Sequence, residues 1–220
     1  MIPRVLEPEA MDSFQEAIDY DRMDHREVNR IFVADLIAAG FKAGWVLDLG
    51  SGTAQIPIEL CRQCPSVEVV AIDAAFAMLQ VARENVNAAH LSQRILIVRA
   101  DAKRLPFRDE SFPTVISNSL IHHIPEPAAV LSEAWRVVQP GGLLFFRDLI
   151  RPNEEAIVQR LVEQYAPGAN EHQQQMFAAS FRASLTLEEM KDLAENLGLS
   201  RKLVEATSDR HWTLVARKSV

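Results

Sequence analysis

The sequence predicts an α/β protein built on a Rossmann-like, doubly wound, mostly parallel seven-stranded sheet. Three observations support this fold class. Short apolar segments alternate with segments of helical periodicity, several apolar segments end at a glycine or an aspartate, and the last two strand-like segments are close in sequence. Continuous apolar strands separated by helices are typical of a parallel sheet covered on both faces. We therefore expect helices on both faces of the sheet and a C-terminal antiparallel hairpin.

The composition is that of an ordinary globular protein. The chain has 220 residues, of which 48% are hydrophobic and 24% charged, and this suits a single domain over residues 1–220. Its net charge of −7 disfavours a dedicated nucleic-acid binder, which usually carries a basic face. No apolar run approaches the roughly 20 residues that span a bilayer, and the first residues lack the apolar core of a signal peptide. We expect a cytoplasmic monomer or homodimer with no nucleic-acid or membrane partner.

Two helices are predicted before the sheet begins, over about residues 11–20 and from near Asp24 to Gly40. The second helix carries an apolar stripe with a period of 3.6 residues. The core elements then alternate, with strands at 45–50, 67–73, 94–101, 112–119 and 142–150 and helices at 54–64, from 76 onward and at 128–138. Because these strands are continuously apolar, we expect both faces of each strand to be buried.

The region after the fifth predicted strand is mostly helical in pattern. Residues 151–183 show this pattern, interrupted by a predicted loop at 164–175. Thr186, with Glu189 three residues later, forms the capping-box pattern that begins a helix, and Gly198 is the predicted end of that helix.

The chain ends in two strand-like segments, 201–207 and 211–218, which meet at Ser208-Asp209. So short a connection predicts an antiparallel hairpin, because a parallel pair needs a long crossover. A nicotinamide-binding Rossmann domain would instead continue its crossovers. We divide the predicted domain into an N-terminal helical lid (1–40), a cofactor-binding core (41–150), an acceptor-side cover (151–185), and a last helix with the hairpin (186–220).

The strongest functional signal is the segment VLDLGSGTAQ, in which a strand is followed at once by a glycine-rich turn and a helix. Gly50-Ser51-Gly52-Thr53 forms the turn, where the glycines let the backbone approach a ligand closely. The turn lacks a complete G-x-G-x-x-G and the Lys-Ser/Thr of a P-loop. Asp48, two residues before the first glycine, repels a pyrophosphate but suits the ammonium group of an amino acid.

Further acids follow the next two predicted strands. Asp73-Ala74 ends the second strand, where a carboxylate can accept both hydroxyls of a ribose. Asp101-Ala102 follows the third strand, where an acid can accept from an adenine amino group, and Met78 is placed to contact the adenine face. Each acid alone can equally be a helix cap. In order along one sheet edge, they describe an elongated ligand made of an amino acid, a ribose and an adenine.

These residues resemble the class I S-adenosylmethionine (SAM)-dependent methyltransferases, in particular the group of the ubiquinone and menaquinone biosynthesis C-methyltransferases, with its type 11 and type 25 relatives. Asp48, Gly50 and Gly52 match the first motif, and Asp73 matches the second-strand acid. The segments DAKRLPFRDESFPTVISNSLIHHI and VLSEAWRVVQPGGLLFFRDL resemble later motifs of the group, the second as a helix, a Pro-Gly-Gly turn and the fifth strand. The resemblance implies a SAM cofactor, an S-adenosylhomocysteine product and a small-molecule methyl acceptor.

The resemblance also implies roles for two residues outside these acids. Asn118, at the end of the fourth strand, would lie beside the methionine part of SAM, and Tyr20 would fold over the cofactor. The alternative for Tyr20 is a helix-surface aromatic. Two positions depart from the family pattern: Ala54 replaces the third glycine of the first motif, and Pro113 stands where an acid is usual. Neither departure removes a predicted cofactor contact.

Two histidines are candidate catalytic residues that contact the acceptor or act as a base. His122 is the leading candidate because it follows the fourth strand, and His25, with Asp24, comes next. The alternative is that His122 and His123 are structural residues of the loop after that strand. Because no carboxylate or cysteine is found at ligand spacing near the pair, we expect no metal dependence.

Other chemically suggestive residues have weaker interpretations. Arg147 and Arg151 bracket the end of the fifth strand and can receive an anionic acceptor; the alternative for Arg147 is a solvated or ion-paired side chain. Cys61 and Cys64 form a C-x-x-C pair with no second pair to complete a zinc site, so we interpret them as helix packing. Within the acceptor-side cover, the candidate residues are Tyr165, His172, Phe177 and Phe181.

Two other functions remain open at this level. A SAM-binding module without turnover would have the same cofactor residues, because binding a cofactor does not prove catalysis. A NAD-dependent oxidoreductase would need the complete dinucleotide fingerprint and further parallel crossovers, and the sequence shows neither.

Overall fold

The computed structural model describes residues 2–7 and 13–220. Within these ranges, the elements in chain order are α1 (Phe14–Asp21), α2 (Arg26–Ala38), β1 (Trp45–Leu49), α3 (Gln55–Gln63), β2 (Glu68–Asp73), α4 (Phe76–Ala88), β3 (Ile95–Arg99), β4 (Phe112–Asn118), α5 (Pro127–Val137), β5 (Val138–Leu149), α6 (Glu155–Tyr165), α7 (Glu171–Ala183), α8 (Leu187–Asn196), β6 (Val204–Ala206) and β7 (His211–Arg217). None of the helices in the described ranges is long and apolar enough to cross a membrane.

The strands form one seven-stranded sheet with the order β3-β2-β1-β4-β5-β7-β6. β1 pairs in parallel with β2 and β4, β2 pairs in parallel with β3, and β6 pairs antiparallel with β7. The predicted fold class is therefore confirmed. The strand order reverses between β1 and β4, and the crevice at the carboxyl ends of such neighbouring strands is where ligands bind in open α/β sheets.

The described residues divide into two compact units. The first unit comprises residues 13–118, 129–146 and 215–220, and the second comprises residues 2–7, 119–128 and 147–214. The predicted division into lid, core, cover and hairpin segments stays a prediction.

The core of the first unit packs helices against the parallel strands. Phe32 of α2 and Phe145 of β5 meet edge to face, with ring centroids 5.2 Å apart. Cys61 of α3 is buried in the same cluster, and both cysteines are free. The Cys61 thiol donates to the Val67 carbonyl at 3.7 Å. The predicted packing role is therefore confirmed for Cys61. Full burial of each large apolar side chain contributes about 1.5–3 kcal/mol to stability.

The prediction that every core strand is buried on both faces was wrong for β3. This strand lies at one edge of the sheet, and the side chain of Leu96 is 54% exposed. An apolar run therefore identified the strand without identifying its position in the sheet.

Three predicted boundaries also differ from the structure. The predicted loop at 164–175 is shorter, because Asn170 and Gln173 form a capping box that begins α7. The predicted turn at Pro140-Gly141-Gly142 lies within β5, where the Gly141 N–H donates to the Lys218 carbonyl at 2.8 Å. Residues 201–203 form a 3-10 turn before β6. The predicted start of the first helix, near residue 11, lies outside the described residues.

Candidate functional site

The turn between β1 and α3 adopts backbone conformations that favour glycine. Gly50 has φ 68° and Gly52 has φ 52°, both in the left-handed region. Ala54, which replaces the third glycine of the motif, also has a left-handed φ of 62° and is fully buried. The alanine therefore keeps the glycine-like backbone path of the turn, although its Cβ makes that conformation less favourable.

Three polar atoms at the end of β1 and in this turn are buried without a hydrogen-bond partner among the described residues. They are Asp48 Oδ2, Ser51 Oγ and Thr53 Oγ1. Asp48 is only 2% exposed. A buried polar group without a partner lowers stability by about 1–3 kcal/mol. Three such groups so close in sequence therefore fit a site that a polar ligand completes.

The electrostatics of Asp48 favour a cationic ligand group. Burial and, to a smaller extent, the nearby carboxylate of Asp73 raise the pKa of Asp48 well above its usual value. An ammonium group close to this carboxylate would offset both effects, because an opposite charge favours the ionised form. The arrangement therefore fits the ammonium end of an amino acid, as the sequence predicts.

Asp73 joins the end of β2 to the glycine turn. Its Oδ2 accepts from the Gly52 N–H at 2.9 Å, and its Oδ1 accepts from the Ala75 N–H at 2.9 Å. Asp73 thus lies at the strand end where a carboxylate can accept ribose hydroxyls. Ala74, between these contacts, is exposed.

Tyr20 of α1 lies against the glycine turn. A Cβ placed on Gly52 would be 3.9 Å from the Tyr20 ring carbon Cε1. Burial, followed by the carboxylates of Asp73, Asp21 and Asp48, raises the pKa of the Tyr20 hydroxyl to about 12. The structure thus brings Tyr20 to the predicted cofactor turn, and its role as a lid stays a prediction.

The remaining predicted cofactor residues follow strand ends of the first unit or lie in α4. Asn118 ends β4, one residue after Ser117, which pairs with Leu49 of β1. Met78 is buried in a small cluster with α1 and α4 alanines, and Ala102 is also buried.

Asp101 has a local structural role. Its Oδ1 accepts from the Lys103 N–H at 2.8 Å and forms an ion pair with the Lys103 ammonium at 3.2 Å. Asp101 therefore stabilises the turn after β3, where no helix begins, and its adenine contact stays a prediction.

His25 lies beside Tyr20, with ring centroids 4.9 Å apart. One side of its ring is bonded to the Tyr20 backbone, and its Nε2 is buried without a partner in the described part of the chain. Burial lowers the pKa of His25. The ring is therefore held in its neutral form beside Tyr20.

His122, in the second unit, forms a tightly bonded dyad with Asp148 of β5. Its Nδ1 is 2.6 Å from Asp148 Oδ1, and its backbone N–H donates to Asp148 Oδ2 at 3.1 Å. Burial opposes the charge on His122, but Asp148 and Glu7 outweigh it, so the pKa of His122 is raised. Burial likewise disfavours the Asp148 carboxylate, yet His122 and two backbone N–H donors lower the pKa of Asp148. The dyad fixes the imidazole with Nδ1 toward the carboxylate.

A second carboxylate lies on the other side of the histidine pair. Glu7 Oε2 is 3.9 Å from His122 Nε2 and 3.3 Å from His123 Nδ1. Burial raises the pKa of Glu7, whereas burial and then His122 lower the pKa of His123 to about 3. The expectation that no carboxylate accompanies this pair was wrong, because Glu7 and Asp148 come from distant parts of the sequence. A search restricted to local spacing finds neither of them.

The two candidate arginines of the second unit have structural partners. Arg147 Nε donates to Thr213 Oγ1 at 2.9 Å. Arg151 donates to the Ser184 carbonyl at 2.9 Å and pairs with Glu189 at 2.6 Å. Arg147 is only 6% exposed, so it is not a solvated side chain, and an acceptor contact of either arginine stays a prediction.

Three of the four predicted cover residues also have partners within the second unit. The Tyr165 hydroxyl donates to the Asp209 carboxylate at 2.8 Å, and Phe181 is fully buried against Phe177, with ring centroids 4.8 Å apart. His172 is exposed on α7. An acceptor contact of these residues stays a prediction.

Comparison with known families identifies the central part of the chain. Residues 47–146 match the family described as "Methyltransferase domain". This stretch holds Asp48, the glycine turn and Asp73, so the resemblance drawn from the sequence is confirmed.

The curated relatives are similar to this chain over part of their length. A demethylmenaquinone methyltransferase of Porphyromonas gingivalis is 31% identical over 139 residues, which are 60% of this chain and 57% of that protein. Methyltransferase GfsG of Streptomyces halstedii is 29% identical over 194 residues, which are 86% of this chain and 66% of that protein. The chain spans 44–62% of the length of the first four curated relatives that it matches.

Solved structures show the same fold. A SAM-dependent methyltransferase from Aquifex aeolicus superposes with a TM-score of 0.68 at 18% identity, covering 93% of this chain and 98% of that chain. The plantazolicin methyltransferase BpumL, solved with a substrate analogue and SAH, has a TM-score of 0.69 at 12% identity and covers 96% of this chain and 91% of its own. At these identities, the similarity supports the fold.

Proposed function

We propose that this chain, whose residues 47–146 form a methyltransferase domain, transfers the methyl group of SAM to a small-molecule acceptor and releases S-adenosylhomocysteine. The observation that carries the proposal is the buried Asp48 carboxylate of β1, whose Oδ2 has no partner in the described ranges. The turn that follows β1 holds two further hydroxyls without a partner there. A cationic amino-acid end would satisfy this carboxylate. The family match and the fold support the same conclusion.

The residues of the first unit fit the parts of SAM in order. Asp48 would hold the ammonium group, and the Ser51 and Thr53 hydroxyls are available to its methionine carboxylate. Asp73 would accept the ribose hydroxyls, while the N-terminal N–H groups of α3 face the turn. The full set of proposed cofactor residues is Tyr20, Asp48, Gly50, Ser51, Gly52, Thr53, Asp73, Ala74, Met78, Asp101, Ala102 and Asn118.

When bound, SAM supplies an electrophilic methyl group on a sulfonium, so the protein mainly has to align the acceptor with it. The acceptor atom forms a bond to the methyl carbon, and the carbon–sulfur electron pair leaves with the sulfur. We propose that His122 Nε2 takes the proton that an acceptor hydroxyl, amine or activated carbon loses. Asp148 holds Nδ1 and stabilises the imidazolium that results, as in other base dyads.

His122 is a better base candidate than His25. The Asp148 carboxylate raises the pKa of His122, which makes its imidazole a stronger proton acceptor. The His25 ring has no hydrogen bond to a carboxylate among the described residues, and burial lowers its pKa. We therefore assign proton transfer to His122 and retain His25 as an acceptor contact beside Tyr20.

The wider setting belongs to the same proposal. An acidic chain with a net charge of −7 supports a small-molecule acceptor rather than a nucleic acid. We propose action in the cytoplasm as a monomer or homodimer and without a membrane partner. Only some of the curated relatives carry a name that states a substrate, demethylmenaquinone, and the chain spans 44–62% of the length of the first four of them, so we assign no individual acceptor.

Two measurements test the function. Calorimetry with SAM, S-adenosylhomocysteine and NAD should show one site for each of the first two ligands and none for NAD. A methyl-release assay across a panel of small phenols, quinols and amines should then show turnover that depends on His122. Tight SAM binding with silence across the panel would favour a SAM-binding module, and binding of NAD alone would favour an oxidoreductase.

A further inference from the structure

We propose that Glu7, His122 and His123 form a binding site for one divalent transition-metal ion. This group lies in the second unit and contains none of the proposed SAM-binding residues. It brings one partly buried carboxylate next to two adjacent imidazoles, and its candidate ligand atoms all lie within 4.8 Å of one another. Two histidines and one carboxylate are a frequent ligand set for zinc and related ions.

The distances between the donors suit a shared ion. Glu7 Oε2 is 3.3 Å from His123 Nδ1 and 3.9 Å from His122 Nε2. Ligands bound at about 2.0–2.2 Å in a tetrahedral shell are about 3.3 Å apart, so only small side-chain rotations are needed. Three protein ligands leave at least one coordination position for water.

Asp148 provides the outer-shell contact that metal-binding histidines usually have. With its Oδ1 2.6 Å from Nδ1 of His122, it fixes the ring so that Nε2 faces Glu7. Such a carboxylate fixes the tautomer of a ligating imidazole and increases its basicity. The dyad therefore orients His122 for coordination as well as for proton transfer.

The chain also fixes the Glu7 end of the site. Arg4, three residues earlier, donates to the Ala183 carbonyl at 2.7 Å and to the Ile124 carbonyl at 2.9 Å. The Ser180 hydroxyl donates to the Glu7 carboxylate at 3.3 Å. Glu7 and Asp148 bring two carboxylates to the histidine pair, and a bound dication would offset the repulsion between them.

The donor set selects the class of ion. Imidazole nitrogens favour Zn²⁺, Co²⁺ or Ni²⁺ over Mg²⁺ and Ca²⁺, which prefer oxygen ligands. If the proposed function is correct, an ion on His122 Nε2 prevents that atom from taking a proton. The ion then inhibits methyl transfer, which agrees with the expectation that the transfer itself needs no metal.

The test is a titration of the metal-stripped full-length protein with Co²⁺, followed by visible absorption and calorimetry, in the absence of SAM. We expect one saturable site with the absorption of a nitrogen and oxygen ligand set. Glu7→Gln and His123→Gln should each weaken binding by at least ~10-fold, while the exposed-site control His172→Ala should leave it unchanged. Asp148→Asn, which keeps all three ligands, should also weaken binding by ~10-fold or more.

Three results would overturn the site: no saturable binding, binding that survives both ligand variants, or sulfur-to-cobalt absorption that assigns the ion to Cys61 and Cys64. Circular dichroism checks that the variants are folded. If His123→Gln fails to fold, Glu7→Gln still decides, because Glu7 lies outside every helix and strand. Since Co²⁺ binding is read without cofactor or acceptor, failure here leaves SAM binding intact, and failure of SAM binding leaves the metal result intact.

Discussion

Burial of the Asp48 carboxylate destabilises the ligand-free protein, and the ligand that Asp48 is proposed to bind explains why the residue is there. It is 2% exposed, and Oδ2 lacks a partner within the described ranges. Desolvation raises its pKa, which means that the folded protein without ligand disfavours its charged form. An ammonium group from SAM would reverse this preference. Asp48 is therefore a position where binding and stability are expected to conflict.

We expect Asp48→Asn to stabilise the ligand-free protein at pH 8 by about 1–3 kcal/mol, because the amide carries no charge to desolvate. In the wild type, the pKa of Asp48 is higher in the folded than in the unfolded protein. The wild type therefore loses stability as the pH rises from the unfolded pKa toward the folded pKa. The advantage of the variant should therefore grow between pH 4 and pH 8 in thermal unfolding. Lower stability of Asp48→Asn across that range would contradict the assignment.

The dyad makes a second prediction at the scale of single residues. Asp148→Asn should lower kcat for methyl transfer by roughly 100-fold, because the imidazolium loses its carboxylate partner. The SAM dissociation constant should stay unchanged, since Asp148 is not among the proposed cofactor residues. Steady-state kinetics with an acceptor from the methyl-release panel, paired with calorimetry, separates the two effects. An unchanged kcat would remove the dyad from proton transfer.

At the scale of elements, the helix ends show which positions need a left-handed residue. Two residues after its last helical residue, α2 has Gly40 with φ 71°, and α8 has Gly198 with φ 80°. α4 has His90 with φ 58° at the same position. His90 is exposed, so its side chain gains little from packing. α4 is thus terminated by the same left-handed backbone conformation as α2 and α8, but with a histidine in place of the glycine that this conformation favours.

His90→Gly should therefore stabilise the protein by about 0.5–1 kcal/mol, which is the relief of left-handed strain less the entropy cost of glycine. Urea unfolding measures the change as a higher midpoint with an unchanged slope. Gly198→Ala is the matched control and should destabilise the protein, because it places a Cβ in the same conformation. A lower midpoint for His90→Gly would show that its side chain makes a stabilising contact.

Elements with local signals were predictable from the sequence. Thr186 and Glu189 predicted the start of α8, and the capping box is present. The equivalent pattern at Asn170 and Gln173 was hidden by the neighbouring Pro-Gly loop, so the start of α7 was missed. The edge position of β3 depends on which strands pair with it, and an apolar run of four residues carries no such information.

At the scale of the whole molecule, some parts of the candidate site follow from local sequence patterns, and other parts depend on tertiary contacts. Asp48, the glycine turn and Asp73 were predictable, because each lies at a strand end and parallel strands place those ends at one sheet edge. The partners of His122 were not, because Glu7 and Asp148 meet it only through the tertiary fold. The proposed metal site therefore depends on long-range contacts that local sequence patterns do not contain.

The most direct measurement of the central claim is calorimetric titration of SAM into the wild-type protein and Asp73→Ala. We predict one site in the wild type and affinity that falls by ~10- to 100-fold in the variant, equivalent to about 1.4–3 kcal/mol. Asp73→Asn, which keeps one acceptor oxygen, should lose less. No SAM binding to the wild type, or equal affinity in a folded Asp73→Ala variant, would contradict the account.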